Sequence, residues 1–162
     1  MEGEERAGIL LAMAEVAVNE LRDNDYAARC LVSALSDRPN DRTILARLMQ
    51  LYSNEKDWPS LIGVIERLAE VVTEPKQKAK YLHTASLIAS RELGDQQRSA
   101  ELLNEAVEAD PENATVLDEA IELRRRLRDA DGVKDLLKIK AANVAKEGGD
   151  RHPASRCSPP SA

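Results

Sequence analysis

His83, Thr84 and Ser86 form the one short stretch of the 162-residue chain that hints at nucleophilic chemistry. An acyl-transfer centre needs the imidazole hydrogen-bonded to the hydroxyl it deprotonates, with a third group orienting the base. Residues this close together on a helix point in different directions, so the spacing favours a solvated histidine. His83, His152, Cys30 and Cys157 match no familiar zinc spacing, which argues against a metal site. Cys30 falls on a helical apolar face and Cys157 in a polar tail, so the pair makes no disulfide framework. No glycine-rich phosphate loop, Cys-x-x-Cys or His-Glu-x-x-His occurs. The reading is a non-catalytic chain with no cofactor and no metal.

Positive charge is the sharper feature. Arg124, Arg125, Arg126 and Arg128 cluster at the end of a helical stretch, with Arg124 and Arg128 on one face. Two readings stand: cations favoured at a helix C-terminus, or an anchor for an acidic segment, because guanidinium groups bind carboxylates in pairs. Residues 1–120 carry 13 basic against 23 acidic side chains, a net −10; residues 121–162 carry 10 against 6, a net +4. An acidic body with only Tyr26, Tyr52, Trp58 and Tyr81 as aromatics argues against nucleic acid. The longest apolar run, Ile9 to Ala14, is too short to cross a bilayer. The acidic opening MEGEER lacks the basic region of an export signal, so the expectation is a cytoplasmic protein.

The elements that position these groups are helices. Between Tyr81 and Asn113 one complete unit can be read. Leu82, Ala85, Ile88 and Ala89 mark the face of a first helix, which Gly94 and Asp95 end. Ala100, Leu103, Ala106 and Val107 mark a second, which the Asp110-Pro111 turn stops. A gapless shift of 72 residues superposes Leu10 on Leu82, Asp23 on Asp95, Leu31 on Leu103, Ala34 on Ala106 and Pro39 on Pro111. A weaker period of 36 aligns Pro39, Pro75 and Pro111, and places Ala27, Gly63 and Ser99 in a small-residue column where helices should cross closely. Gly63 inside a helix costs about 1 kcal/mol against Ala, so something is expected to pack on it. The result is an all-α chain of eight helices in four pairs, near 6–39, 42–75, 76–111 and 114–146, forming one domain over residues 1–147. Residues 148–162, rich in Gly, Pro and Ser, read as a disordered tail or linker.

The pattern Ala27, Leu31, Ala34, Pro39, repeated as Ser99/Ala100, Leu103, Ala106, Pro111, resembles the tetratricopeptide (TPR) repeat family over residues 6–146. It departs from that family in its period of 36 rather than 34 and in lacking a first-helix Trp. The resemblance implies a right-handed α-solenoid and a scaffold that holds a partner peptide or helix in the concave face of its first helices. Carried onto this sequence, the family's groove positions fall at Ala12, Val16 and Asn19, then Leu48, Tyr52 and Lys56, then Thr84, Ile88 and Arg91, then Ala120, Arg124 and Arg128. The partner expected is a protein segment, with an acidic one suited to the arginines. With Ala12 and Val16 where co-chaperone members carry Lys and Asn, the carboxylate clamp of that subset is absent.

The first helix points to a second reading. Between Ile9 and Leu21 only Glu15, Asn19 and Glu20 are polar, and a helix apolar nearly all round calls for burial on more than one side. Leu11 and Val18 are the candidate assembly face. The chain would then be a self-associating subunit or a segment of a longer solenoid.

Overall fold

Asp23, Asp57, Asp95 and Asp129 set the frame. In the computed structural model, which describes the backbone of residues 2–155 and the side chains of residues 2–149, each is the N-cap of a second helix. Their carboxylates accept from the backbone N–H of Tyr26 (3.0 Å), Ser60 (3.5 Å), Arg98 (2.9 Å) and Gly132 (3.0 Å). The residue before each cap is left-handed: Arg22, Lys56, Gly94 and Arg128, with φ of 57°, 57°, 66° and 58°. That conformation closes the first helix and turns the chain back antiparallel.

Eight helices result among the described residues, and no strand. They are α1 (Glu2–Val16, continued by a π-helical turn, Ala17–Leu21), α2 (Asn24–Asp37), α3 (Arg42–Glu55), α4 (Trp58–Val71), α5 (Pro75–Arg91), α6 (Gln96–Ala109), α7 (Ala114–Arg126) and α8 (Ala130–Ser155). Odd-numbered helices are the first of each pair. Each helix packs on the next, as a solenoid of four helical hairpins requires.

The capping aspartates correct the 36-residue period. They are spaced 34, 38 and 34 residues apart. The extra four residues amount to about one helical turn, so they lengthen an element without rotating its faces. They lie largely in α5, which has 17 residues against 14 in α3 and 13 in α7. The turns alternate too. Asp23 N–H reaches Ala17 O and Asp95 N–H reaches Ala89 O, six residues back; Asp57 reaches Tyr52 O and Asp129 reaches Arg124 O, five back. Units one and three are one kind, units two and four another, and 72 residues is the true repeat.

Burial follows this corrected register. Ala27, Leu61 and Ser99 form one buried column on the second helices, Leu31, Ile65 and Leu103 a second, and Ala34, Leu68 and Ala106 a third. Gly63 is not in it. A Cβ there would meet nothing within 4 Å, so Gly63 faces open space, and the crossing expected at that position belongs to Leu61. Fully buried alanines, among them Ala7, Ala27, Ala34, Ala79, Ala85, Ala89 and Ala106, let the helices approach closely in a core that has no Phe.

The domain boundary expected at 147 falls inside α8. The helix runs through Gly148 and Gly149 to Ser155. Each glycine costs about 1 kcal/mol against Ala, but extending an existing helix needs no new nucleus. The remainder of the expected tail, from Arg156, lies outside the described residues.

Candidate partner-binding clefts

Two clefts open between consecutive first helices. The first, about 310 Å³, lies between α1 and α3 and is lined by Ala14, Glu15, Val18, Asn19, Arg47, Gln50, Leu51 and Asn54, with Leu31 of α2 beneath. The second, about 400 Å³, lies between α5 and α7 and is lined by Ser86, Leu87, Ser90, Arg91, Asp118, Glu119, Glu122, Leu123 and Arg126, with Gln96, Ser99 and Leu103 of α6 beneath. Adding 72 to the number of each residue in the first gives a residue in the second. The repeat therefore builds the same cleft twice.

Charge differs between them. In the first, Glu15 and Arg47 pair across the opening at 2.8 Å, and the remaining lining is apolar or amide. In the second, Glu119 accepts from His83 Nε2 at 2.6 Å, linking α7 to α5, and Glu122 lies 3.6 Å from Arg126 one turn on. Asp118 is held from outside by Lys140 at 2.6 Å. Arg91 is exposed and makes no ion pair among the described residues, so it is the cation most available to a ligand there.

The helical hydroxyls are not arranged for catalysis. Thr84 Oγ1 donates to the carbonyl of Lys80 (2.9 Å) and Ser86 Oγ to the carbonyl of His83 (2.6 Å), so neither hydroxyl donates to the imidazole. Among the described residues no cluster of His, Cys, Asp and Glu could hold a metal. Cys30 is a buried free thiol.

The groove residues expected from the sequence are divided by the structure. Asn19 and Arg91 line the first and second clefts. Thr84 is exposed beside the second cleft but not in its lining. Tyr52 turns the other way: it packs against both halves of the core and borders a pocket formed with Asp25, Ala28, Arg29 and Val32 of α2. Burial first, and Asp57 second, raise its hydroxyl above the ordinary tyrosine pKa. Lys56 and Arg128 are the left-handed closing residues of α3 and α7. Arg124 folds back on its own turn, bonding Asp129 at 2.6 Å with its side chain 14% exposed. The backbone N–H of Gly132 and then Arg124 hold Asp129 below the ordinary carboxylate range. Tyr52 and Arg124 therefore line neither of these two clefts, while Asn19 and Arg91 line one each. The cause is register: one residue along a helix turns a side chain by about 100°, so positions 15, 18, 47, 50 and 54 face the opening where 16, 48 and 52 do not.

The candidate assembly residues are likewise displaced. Leu11 and Val18 are half-buried against the core of the first two units, and Val18 lines the first cleft. The outward stripe of α1 is Ile9, Met13 and Val16.

No protein-family model matches the chain, and no curated protein does. Solved structures do. A crystal structure of MamA protein superposes with a TM-score of 0.50 at 14% identity, covering 88% of this chain and 75% of that one. A second MamA crystal structure gives 0.51 at 11% identity, covering 88% and 81%. The fold is a TPR-like α-solenoid. At these identities the likeness concerns architecture, and the lining of the clefts is a property of this chain's own residues.

Proposed function

We propose that this protein is a non-catalytic interaction scaffold that holds a partner segment along the surface of its first helices, across the two clefts. One observation carries the reading. The 72-residue repeat keeps the leucines at the floor of the clefts, Leu31 and Leu103, Leu51 and Leu123, and replaces buried Ala14 only by the similarly small Ser86, while the exposed lining changes chemical class at every place. Positions that served only to fill space would stay apolar in both copies. The first cleft suits an apolar or amide-bearing stretch, and the second a stretch with a carboxylate for Arg91 beside a cation for the acidic wall. An extended or helical segment spanning both would bind by the helix-in-groove or peptide-groove modes common to such surfaces.

The test begins with peptides selected on the folded protein from a displayed random library. The tightest is then titrated calorimetrically against Gln50→Ala/Asn54→Ala and Arg91→Glu/Arg126→Glu. Loss of about tenfold or more in affinity from each pair is the expected result, since hot-spot truncations cost more than about 1 kcal/mol. Selected peptides that bind all variants equally would place the site elsewhere. A second reading, self-association through α1, has its own observation in the exposed stripe Ile9, Met13 and Val16.

A further inference from the structure

Among the described residues, both ends of the solenoid leave an apolar stripe uncovered. On α1, Ile9, Met13 and Val16 lie at i, i+4 and i+7 and are 62%, 37% and 43% exposed. On α8, Leu137, Ala141 and Val144 have the same spacing; Leu137 is 40% and Val144 60% exposed, and Ala141 is exposed too. Each stripe has a covered counterpart 72 residues away. Tyr81, Ala85 and Ile88 of α5 correspond to the stripe on α1, and all three lie in or against the core that α4 helps to build. Ile65, Ala69 and Val72 correspond to the stripe on α8, and they are buried to 2%, 1% and 8% exposure. In the middle of the molecule α4 packs on α5. The operation that carries units one and two onto units three and four therefore turns that internal junction into a contact between α8 of one chain and α1 of the next.

We propose that copies of this protein stack head to tail, α8 of one against α1 of the next, continuing the solenoid across the chain boundary. The repeat selects this partner: α8 presents the equivalents of Ile65, Ala69 and Val72, and α1 the equivalents of Tyr81, Ala85 and Ile88, the two faces that already meet inside the molecule. A symmetric contact of α1 with α1 has no such counterpart within the chain. Because the two surfaces differ, the contact is heterologous and leaves a free surface at each end of any open assembly. It is independent of the cleft reading, which stands or falls on peptide binding.

The experiment uses the full chain and two variants, Met13→Glu on the leading face and Leu137→Glu on the trailing face. Wild-type mass by light scattering should rise with concentration through multiples of the 17.9 kDa chain. Each variant alone should remain at one chain mass. An equimolar mixture should reach twice that mass and go no further, because only one pair of intact surfaces remains. A wild type that stays monomeric throughout overturns the proposal. So does assembly that Met13→Glu abolishes and Leu137→Glu leaves intact, the signature of a symmetric α1 contact. If either substitution lowers the melting temperature, Ile9→Lys and Val144→Lys replace them, and failure of that mixture to dimerise is equally decisive.

Discussion

The two clefts share a backbone and differ in nearly everything that reaches solvent. Leu31 and Leu103 lie at 2% and 3% exposure beneath them, and Leu51 and Leu123 at 7% each. Above these floors Glu15 stands against Leu87, Val18 against Ser90, Asn19 against Arg91, Arg47 against Glu119, Gln50 against Glu122 and Asn54 against Arg126. Packing depends on volume and on the absence of voids, so buried positions admit few alternatives. Exposed lining is under no such constraint and is free to take up whatever a partner requires. On the proposed reading, the division between what holds the solenoid together and what addresses a ligand runs along the surface of the odd-numbered helices, residue by residue.

The largest expected effect tests whether the floors are equivalent. Leu31→Ala and Leu103→Ala should each destabilise the protein by about 2–5 kcal/mol, the range for truncating a buried leucine. Urea melts of both, read by circular dichroism, should agree within about 1 kcal/mol given how far cavity costs vary between sites. A near-silent change at one site would break the equivalence. A smaller effect is expected at the α7–α8 turn. A Cβ on Gly132 would run into Asp129 Oδ2 and fall 3.1 Å from Arg124 Cδ, so Gly132→Ala should dislodge the N-cap and cost about 1–2 kcal/mol. Ser60 holds the equivalent place in unit two, where a side chain is already accommodated, and Ser60→Ala should be nearly silent. Acid titration gives a separate reading of the same cap. The Asp129 pKa is lowered from its ordinary 3.8 in the folded state. Its contribution is therefore complete above that value and lost as pH falls through the folded one. Asp129→Asn should reduce the acid-side loss of stability relative to the wild type.

Much of this fold can be read from the sequence, because helix caps and apolar periodicity are local signals. Asp57 and Asp95, with the Pro and Gly punctuation, mark the helices to within a few residues, except the end of α8, which runs on through Gly148 and Gly149 to Ser155. The 72-residue shift is visible because it is gapless. The 36-residue period is an average of 34 and 38, and averaging moves the small-residue column onto Gly63. The clefts are harder. A position on a helix faces an opening or a neighbour according to a rotation of about 100° per residue, so an error of one residue moves Tyr52 and Arg124 into the groove and leaves out Arg47 and Gln50. One signal for the correct face is present in the chain: Glu15, Arg47, His83 and Glu119 are charged or titratable residues at places that pair across the gap between first helices. Pairing of this kind becomes legible only once the two helices are known to be neighbours. The composition of α1 shows that its apolar residues extend round most of the helix. Which of its residues face outward depends on how Leu10, Leu11 and Val18 pack inward.

The smallest expected effect on stability separates scaffold from address. Glu15→Leu, Asn19→Arg, Arg47→Glu, Gln50→Glu and Asn54→Arg together give the first cleft the exposed lining of the second at every place but Val18. The Glu15–Arg47 pair that is lost has side chains 56% and 39% exposed, so solvent screens it and it stabilises the fold by at most about 1 kcal/mol. The carboxylate and guanidinium introduced at positions 50 and 54 stand one turn apart, as those of Glu122 and Arg126 do, and return a few tenths of that. Net stability should change by about 0.5 kcal/mol or less. Affinity for a peptide selected on the wild-type first cleft should fall, while peptides selected on the second cleft should gain a second site, seen as a doubled stoichiometry. A melting temperature that collapses would mean that the lining holds α1 against α3, and the clefts would then be structural seams. A stoichiometry that stays single in a fully stable variant would mean that recognition draws on residues outside the lining, with His83, bonded to Glu119 of the second cleft, the first to substitute.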